Sequence, residues 1–412
     1  MRIAIYKDTL ANKRGADKAV ISFAEALREK LGVRCQGSGV SEKWDVVLFE
    51  KNELEARLKE RWDVFVVTGT NELLDLADRV GVKSSSSRKE VFPPLYNYNS
   101  NLQLNHKFPF PIIMQFHTNP KSQFKWKRFR RNRKIKAALR KVDAIQVLRE
   151  EYVGQVKRYC PNVQVIGNWS GFNHIEQVDR VNSSCRSELE LESGLSNVLS
   201  RTRTSNSNYT IIYPAAFAKG KNQKLLMKSF ARVAKEFPDW KLRLLGRANG
   251  RYAEECKKLV GKLGLGDRVE FPGFSNDMAK EYAECAFVAF PSLDEGFPLT
   301  LVDAAAFGKP TVMVKDWIGC AAASGQESGV RGQELGDRGQ LSVVSRQSLV
   351  GSGGIVTMAS VKAYAEGLRR LMGDARLCQK MGDNARGYCA EHYSREKIID
   401  KWVELLRDTI RS

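Results

Sequence analysis

Short, nearly unbroken apolar runs alternate with longer segments of helical period along most of this chain. In its first part the runs are Ile3-Ala4-Ile5-Tyr6, Val46-Val47-Leu48-Phe49, Val64-Phe65-Val66-Val67, Ile112 to Phe116, Ala144 to Leu148 and Val163 to Ile166. Strands without polar alternation are buried on both faces, so the pattern predicts a parallel sheet clothed by helices, a Rossmann-like α/β domain over residues 1–175. From Val181 to Asn208 the composition turns to Ser, Asn, Arg and Thr, with one short helical possibility at Glu188 to Leu199; residues 176–208 read as a linker or insertion. A second alternating series follows, with runs at Thr210-Ile211-Ile212-Tyr213, Leu242 to Leu245, Arg268 to Phe271, Phe287 to Phe290 and Thr311 to Val314, and predicts a second α/β domain over 209–394. Ser324 to Gly354 holds eight glycines and keeps no period except at Leu341 to Val344, the pattern of a mobile loop. Val361 to Ser412 reads as helical, with Leu368, Leu371 and Met372 in an apolar stripe.

At 412 residues the chain has room for two full cores, and its 42% apolar and 28% charged content is that of a globular protein. No run approaches the roughly 20 apolar residues that span a bilayer, and the opening MRIAIYKDTL has no signal-type apolar region, so a cytoplasmic location is expected. The eight cysteines show neither a C-x-x-C pair nor metal-ligand spacing, which fits reduced thiols and no metal site. The net charge of +20 changes the picture most: it calls for an anionic partner, whether nucleic acid, an acidic membrane surface or an acidic glycan.

The richest stretch is FPSLDEGFPLTLVDAAAFGKP, Phe290 to Pro310. A strand stops at Pro291-Ser292, an acidic loop leads to Pro298, good helix formers follow, and Gly308 with Pro310 ends the helix. Such a helix presents free N–H groups near Leu299, Thr300 and Leu301, together with its positive dipole end, to an anion. Glu295 stands just before that point and Asp303 roughly 7.5 Å inside the helix. Each carboxylate can accept from neighbouring hydroxyls. Acid, anion-binding amides and acid in series match a sugar, a diphosphate and a second sugar: a nucleotide sugar. The plain alternative is a loop charge and a solvated or capping carboxylate.

This stretch resembles the E-x7-E motif of retaining glycosyltransferases of the GT-B fold in the large family 4, the glycosyl transferases of group 1, with Asp303 standing where Glu is usual. The resemblance implies two Rossmann-like domains facing across a cleft, the last helix, about 395–412 with Ile398 to Ile410 at its heart, crossing back to the first. Glu295 is then implied to hold donor-sugar hydroxyls and Asp303 the ribose, with Gly296, Phe297, Leu299 and Thr300 lining the same donor site. His117, directly after a buried strand in PIIMQFHTNP, matches a strand-end His implied to face the donor sugar; on local grounds a structural His is the alternative. Gly15 in LANKRGADKAV is similar to the glycine turn that faces the donor phosphates, though one glycine replaces two, and a plain turn fits as well. In YPAAFAKGKNQKLL, Lys221 fits the diphosphate lysine while Ala216 occupies the place of its arginine partner, leaving Lys219 or Arg247 to supply charge. GDRVEFPGFSND is similar to the base-contacting loop, with Gly273 and Phe274 at the strand end. No acid follows Val314 where the family often has one.

The expected activity is therefore metal-independent transfer of a sugar from a nucleotide diphosphate, UDP being the commonest, to a glycan or lipid-linked acceptor, with closure bringing Gly15 and His117 to the donor. Lys121 to Lys141 holds eleven Lys and Arg with Phe124, Trp126 and Phe129 interleaved. That pattern suits the anionic cytoplasmic face of a membrane, a solvated helix face or nucleic acid; the family's habits favour the membrane, and no nucleic-acid partner is expected. A non-catalytic GT-B binding or scaffold protein and a basic nucleic-acid-binding protein are the alternatives from other classes.

Overall fold

The structure, a computed structural model, describes residues 1–10, 15–32, 44–80, 108–117, 119–120, 129–172, 209–293, 295–314, 342–343 and 353–412. The chain divides into two compact units, one of Met1–Asn168 with Arg395–Ser412 and one of Trp169–Ser394.

In the first unit β1 (Arg2–Tyr6), β2 (Asp45–Phe49), β3 (Val64–Val67), β4 (Ile112–Gln115), β5 (Ala144–Val147) and β6 (Val163–Val165) form one sheet in the order β2-β1-β3-β4-β5-β6, every pair parallel. Ile3, Ala4, Ile5, Val64, Phe65, Val66, Ile112 and Ile113 are wholly buried, as unbroken apolar strands between helical layers must be. The helices are α1 (Gly15–Gly32), the single turn α2 (Leu54–Arg57), α3 (Thr70–Arg79), α4 (Phe129–Leu139) and a second single turn α5 (Val153–Val156).

The second unit places β7 (Thr210–Pro214), β8 (Lys241–Leu245), β9 (Val269–Gly273), β10 (Phe287–Phe290), β11 (Thr311–Val314), β12 (Ser342–Val343) and β13 (Gly354–Thr357) in the order β12-β13-β11-β10-β7-β8-β9. All pairs are parallel except β12 with β13. Its helices are α6 (Gln223–Val233), α7 (Arg251–Lys262), α8 (Met278–Glu284), α9 (Leu299–Ala306), α10 (Val361–Gly373) and α11 (Ala375–His392). The two-domain α/β expectation agrees with this architecture. Strand β13 falls at the glycine-rich end of the segment expected to be a loop. Its Gly354 lies so close to β11 that a Cβ would meet Met313 Cε at 2.5 Å, so a small residue, poor in strand signal, is what the pairing needs. The rest of the expected mobile loop, and the helix possibility at 188–199, lie outside the described residues.

The last helix, α12 (Arg395–Arg411), belongs to the first unit. Its buried face of Ile398, Ile399, Trp402, Val403, Leu405 and Leu406 recurs at helical spacing. Trp402 packs on Phe23 of α1 with ring centroids 4.5 Å apart, and the pairs Arg395 with Glu29 at 2.6 Å and Lys30 with Asp400 at 2.8 Å flank the contact.

Candidate functional site

In an open parallel sheet, ligands bind beyond the carboxyl ends of the strands where the strand order reverses, because the chain leaves neighbouring strands in opposite directions and opens a crevice. In the second unit that point lies between β7 and β10, with β8 and β9 on one side and β11 and β13 on the other. Beyond β7 the chain makes a tight turn, Lys219–Lys221, closed by Asn222 in the left-handed region at φ 53°. Beyond β10 come Pro291, Ser292 and, past Asp294, which lies outside the described residues, Glu295.

The two loops are tied together across the crevice. Lys221 Nζ forms an ion pair with Glu295 Oε1, at side-chain exposures of 29% and 13%. The same Oε1 accepts from Ser292 Oγ at 2.8 Å. Leu293 N donates to the Gly220 carbonyl at 2.8 Å, and the buried Tyr213 hydroxyl donates to the Lys221 carbonyl at 2.8 Å. The sequence placed a cation and an acid here for different parts of one ligand; the fold joins them into a neutral, partly desolvated pair. Such a pair can exchange partners: an anionic group can compete with Glu295 for the ammonium, and hydroxyl groups can then donate to the carboxylate.

Helix α9 begins at Leu299 with Pro298 just before it, one residue later than the sequence placed it. Gly308 ends it at φ +63°, where its N–H meets the Ala305 carbonyl at 2.9 Å. The expectation of three free amides is corrected at two of them: Leu299 N donates to Phe297 O at 3.1 Å and Leu301 N to Pro298 O at 3.0 Å. The proline's own backbone, at φ −82° and ψ 89°, curls the entry so that the first turn uses these groups internally. The Thr300 hydroxyl donates back to the Pro214 carbonyl at 3.2 Å, binding the helix start to β7. Gly296 lies beside Glu295 in the same loop. The Phe297 ring is buried against Tyr393, centroids 5.8 Å apart, and is turned into the core rather than offered to a ligand.

Asp303 is engaged. Its Oδ1 accepts from Ser170 Oγ at 2.6 Å and from Gly171 N at 3.3 Å, fastening the segment that opens the second unit. Phe172, next in line, packs on Tyr282 and Phe307. Burial pushes the Asp303 carboxyl up to about 6, although both hydrogen bonds favour its charged form.

On the other flank, Gly246 follows β8 at φ +149°, and a Cβ there would sit 2.2 Å from the Ala215 carbonyl oxygen. Its N–H donates to Gly273 O at 2.7 Å, while Gly273, at φ +84°, ends β9 and leads to Phe274, 61% exposed. Ala216, Lys219 and Arg247 are exposed at these strand ends. The absent arginine at 216 thus leaves Arg247 and Lys219 as the nearby cations for which no acidic partner is seen among the described residues.

The first unit has a comparable crossing between β1 and β3. There Lys7 pairs with Glu72 of α3 at 2.5 Å, both nearly buried. His117 follows β4, next in the sheet; both ring nitrogens are buried with no hydrogen-bond partner among the described residues. Burial, with the positive charge of Lys7 added, lowers its pKa to about 4 and keeps the imidazole neutral at pH 7. Gly15 opens α1; the loop before it, 11–14, lies outside the described residues. So does the basic run from Lys121 to Arg128, whereas α4 carries Arg130, Arg133 and Lys134 exposed. Ser292, Ser170, Lys7 and Glu72 were not singled out from the sequence: Ser292 registered only as the end of a strand, and the other three carried no local signal. Among the described residues no three His, Cys, Asp or Glu side chains gather as metal ligands, five cysteines are free thiols, and no helix is long and apolar enough to cross a membrane.

Two α/β units of this kind are the architecture of the GT-B fold. The HepE protein of Anabaena, solved in complex with UDP, superposes with a TM-score of 0.66 over 99% of this chain and 100% of that one at 16% identity. Residues 200–325 match the family described as Glycosyl transferases group 1. Among curated relatives, an exopolysaccharide phosphotransferase of Streptomyces coelicolor is 29% identical over 51% of this chain and 20% of its own length. A Campylobacter jejuni N-acetylgalactosamine-N,N'-diacetylbacillosaminyl-diphospho-undecaprenol 4-alpha-N-acetylgalactosaminyltransferase is 39% identical over 21% of this chain and 23% of its own. The chain therefore spans about a fifth to a quarter of the length of these two relatives.

Proposed function

We propose that this protein is a retaining glycosyltransferase that moves a sugar from a nucleotide-diphosphate sugar, a UDP-sugar first, to a glycan or lipid-linked acceptor in cell-surface polysaccharide or glycolipid synthesis, without a metal cofactor. The observation that carries the proposal is the Lys221–Glu295 pair straddling the switch point of the group 1 domain. In this reading Lys221, with Arg247 or Lys219, receives the diphosphate as the bond from sugar C1 to phosphate oxygen breaks. Glu295 accepts from the donor-sugar hydroxyls, and Asp303 is assigned to the ribose. Thr300 and the dipole of α9 face the phosphates, and Gly273 and Phe274 face the base. His117, as a neutral imidazole, is assigned to the donor sugar. The acceptor oxygen attacks C1 on the face the phosphate leaves, and its proton passes to the departing phosphate, so no side chain is asked to act as base. The relative with an undecaprenol-linked acceptor in its name supports the acceptor class, and the UDP-bound neighbour supports the nucleotide. The exposed cations of α4 favour docking at an anionic membrane surface.

The test is release of nucleotide diphosphate from a panel of UDP-, GDP- and ADP-sugars, with the product's anomeric configuration read by NMR. Glu295→Gln is expected to lower transfer by at least about 100-fold with UDP binding retained. Transfer left intact in that variant refutes the site, and an inverted product refutes retention. Ala216 in place of the phosphate arginine supports a second reading, a non-catalytic binding module, for which donors bind without any release.

A further inference from the structure

We propose that Ser292 is the positioning residue of the donor-sugar site, the hydroxyl that sets where the Glu295 carboxylate points and couples it to the phosphate-side turn. Ser292 is fully buried directly behind β10. Its single hydroxyl hydrogen has two acceptors in reach, Glu295 Oε1 at 2.8 Å and the Gly220 carbonyl at 3.3 Å. The shorter contact, to the charged acceptor, is the stronger hydrogen bond, so the hydrogen lies toward the carboxylate. Backbone geometry already fixes the serine: Leu293 N holds Gly220 O at 2.8 Å, so the hydroxyl cannot drift from the turn that carries Lys221.

The consequence is directional. When a diphosphate draws Lys221 away, Glu295 loses its cation but keeps the serine, which is uncharged, buried and held beside Gly220 O and the Tyr213 hydroxyl. The carboxylate is thereby held in one rotamer at the moment it must accept from sugar hydroxyls, rather than swinging after the ammonium. A site lacking this bond would bind the nucleotide part of the donor as before and discriminate poorly for its sugar.

This inference rests on the donor-site reading above. The experiment compares Ser292→Ala and Ser292→Cys, the latter filling the same volume with a poor donor, with the unmodified protein. Three quantities are read: Kd for UDP alone, kcat and KM for the UDP-sugar the unmodified protein turns over, and the thermal midpoint. Both variants are expected to lose about tenfold to a hundredfold in kcat/KM for the donor while Kd for UDP changes by less than about twofold. In a Glu295→Gln background the serine substitution is expected to add nothing. Equal loss of UDP and UDP-sugar affinity, or a further loss on top of Glu295→Gln, overturns the proposal, as does unchanged kcat/KM. If the unmodified protein turns over no donor, the glycosyltransferase reading itself fails first.

Discussion

Replacing Asp303 by Asn tests the interior of the second unit through its pH dependence. The carboxyl has its pKa raised from 3.8 to about 6 by burial. The folded chain therefore keeps a proton that the unfolded chain has already lost between those two values. Stability consequently falls as pH rises through that window, and below about pH 4 the penalty is absent. At about 1.36 kcal/mol per pH unit of displacement the difference reaches about 3 kcal/mol at pH 7. Asn keeps an acceptor oxygen for Ser170 Oγ and Gly171 N, the two contacts Asp303 makes at 2.6 and 3.3 Å, but has nothing to ionise. The variant should thus gain on the unmodified protein as pH rises, from near parity at pH 4 to about 3 kcal/mol at pH 7. For a unit of this size that is a difference in melting temperature on the order of 6–12 °C. Thermal melts of both proteins at pH 4.5, 5.5, 6.5 and 7.5 read the trend. A difference that stays flat across the series, or a variant that loses ground toward neutral pH, would mean that Asp303 is ionised and well solvated, and the burial argument would be wrong.

Trp402→Ala removes the largest side chain anchoring α12 to α1 and should lower stability by about 3–5 kcal/mol; an unchanged urea midpoint would show that α12 is not held there. Gly246→Ala forces a methyl to within 2.2 Å of the Ala215 carbonyl at a φ that side chains rarely adopt, and should cost at least about 1–3 kcal/mol together with donor affinity, read by calorimetric titration with UDP. Because the His117 pKa is lowered to about 4, its imidazole should show no titration between pH 5.5 and 8 in NMR spectra, and a midpoint near 6.5 that vanishes in His117→Gln would contradict this.

Much of the fold is legible in the order of residues because buried parallel strands need unbroken apolar runs and their helices need a 3.6-residue period; both are local. Pro298, Gly308 and Pro310 mark the ends of α9 for the same reason, to within a residue. Strand β13 escaped because its strand formers Ile355, Val356 and Thr357 make only a three-residue run at the end of a glycine-rich stretch, and its place is set by parallel pairing with β11. The site divides along the same line. Glu295 and Asp303 stand out by type and spacing about a helix start, while Lys221 is picked out only by the family resemblance. That Lys221 and Glu295, 74 residues apart, neutralise one another was decided by the order of strands in the sheet, and that Asp303 fastens Ser170 across 133 residues by tertiary packing; the Ser292 bond to Glu295 spans only three residues, but its value depends on that long-range pair. A hydrogen bond between distant segments depends on which strand ends lie side by side, and no local pattern of residues encodes that adjacency.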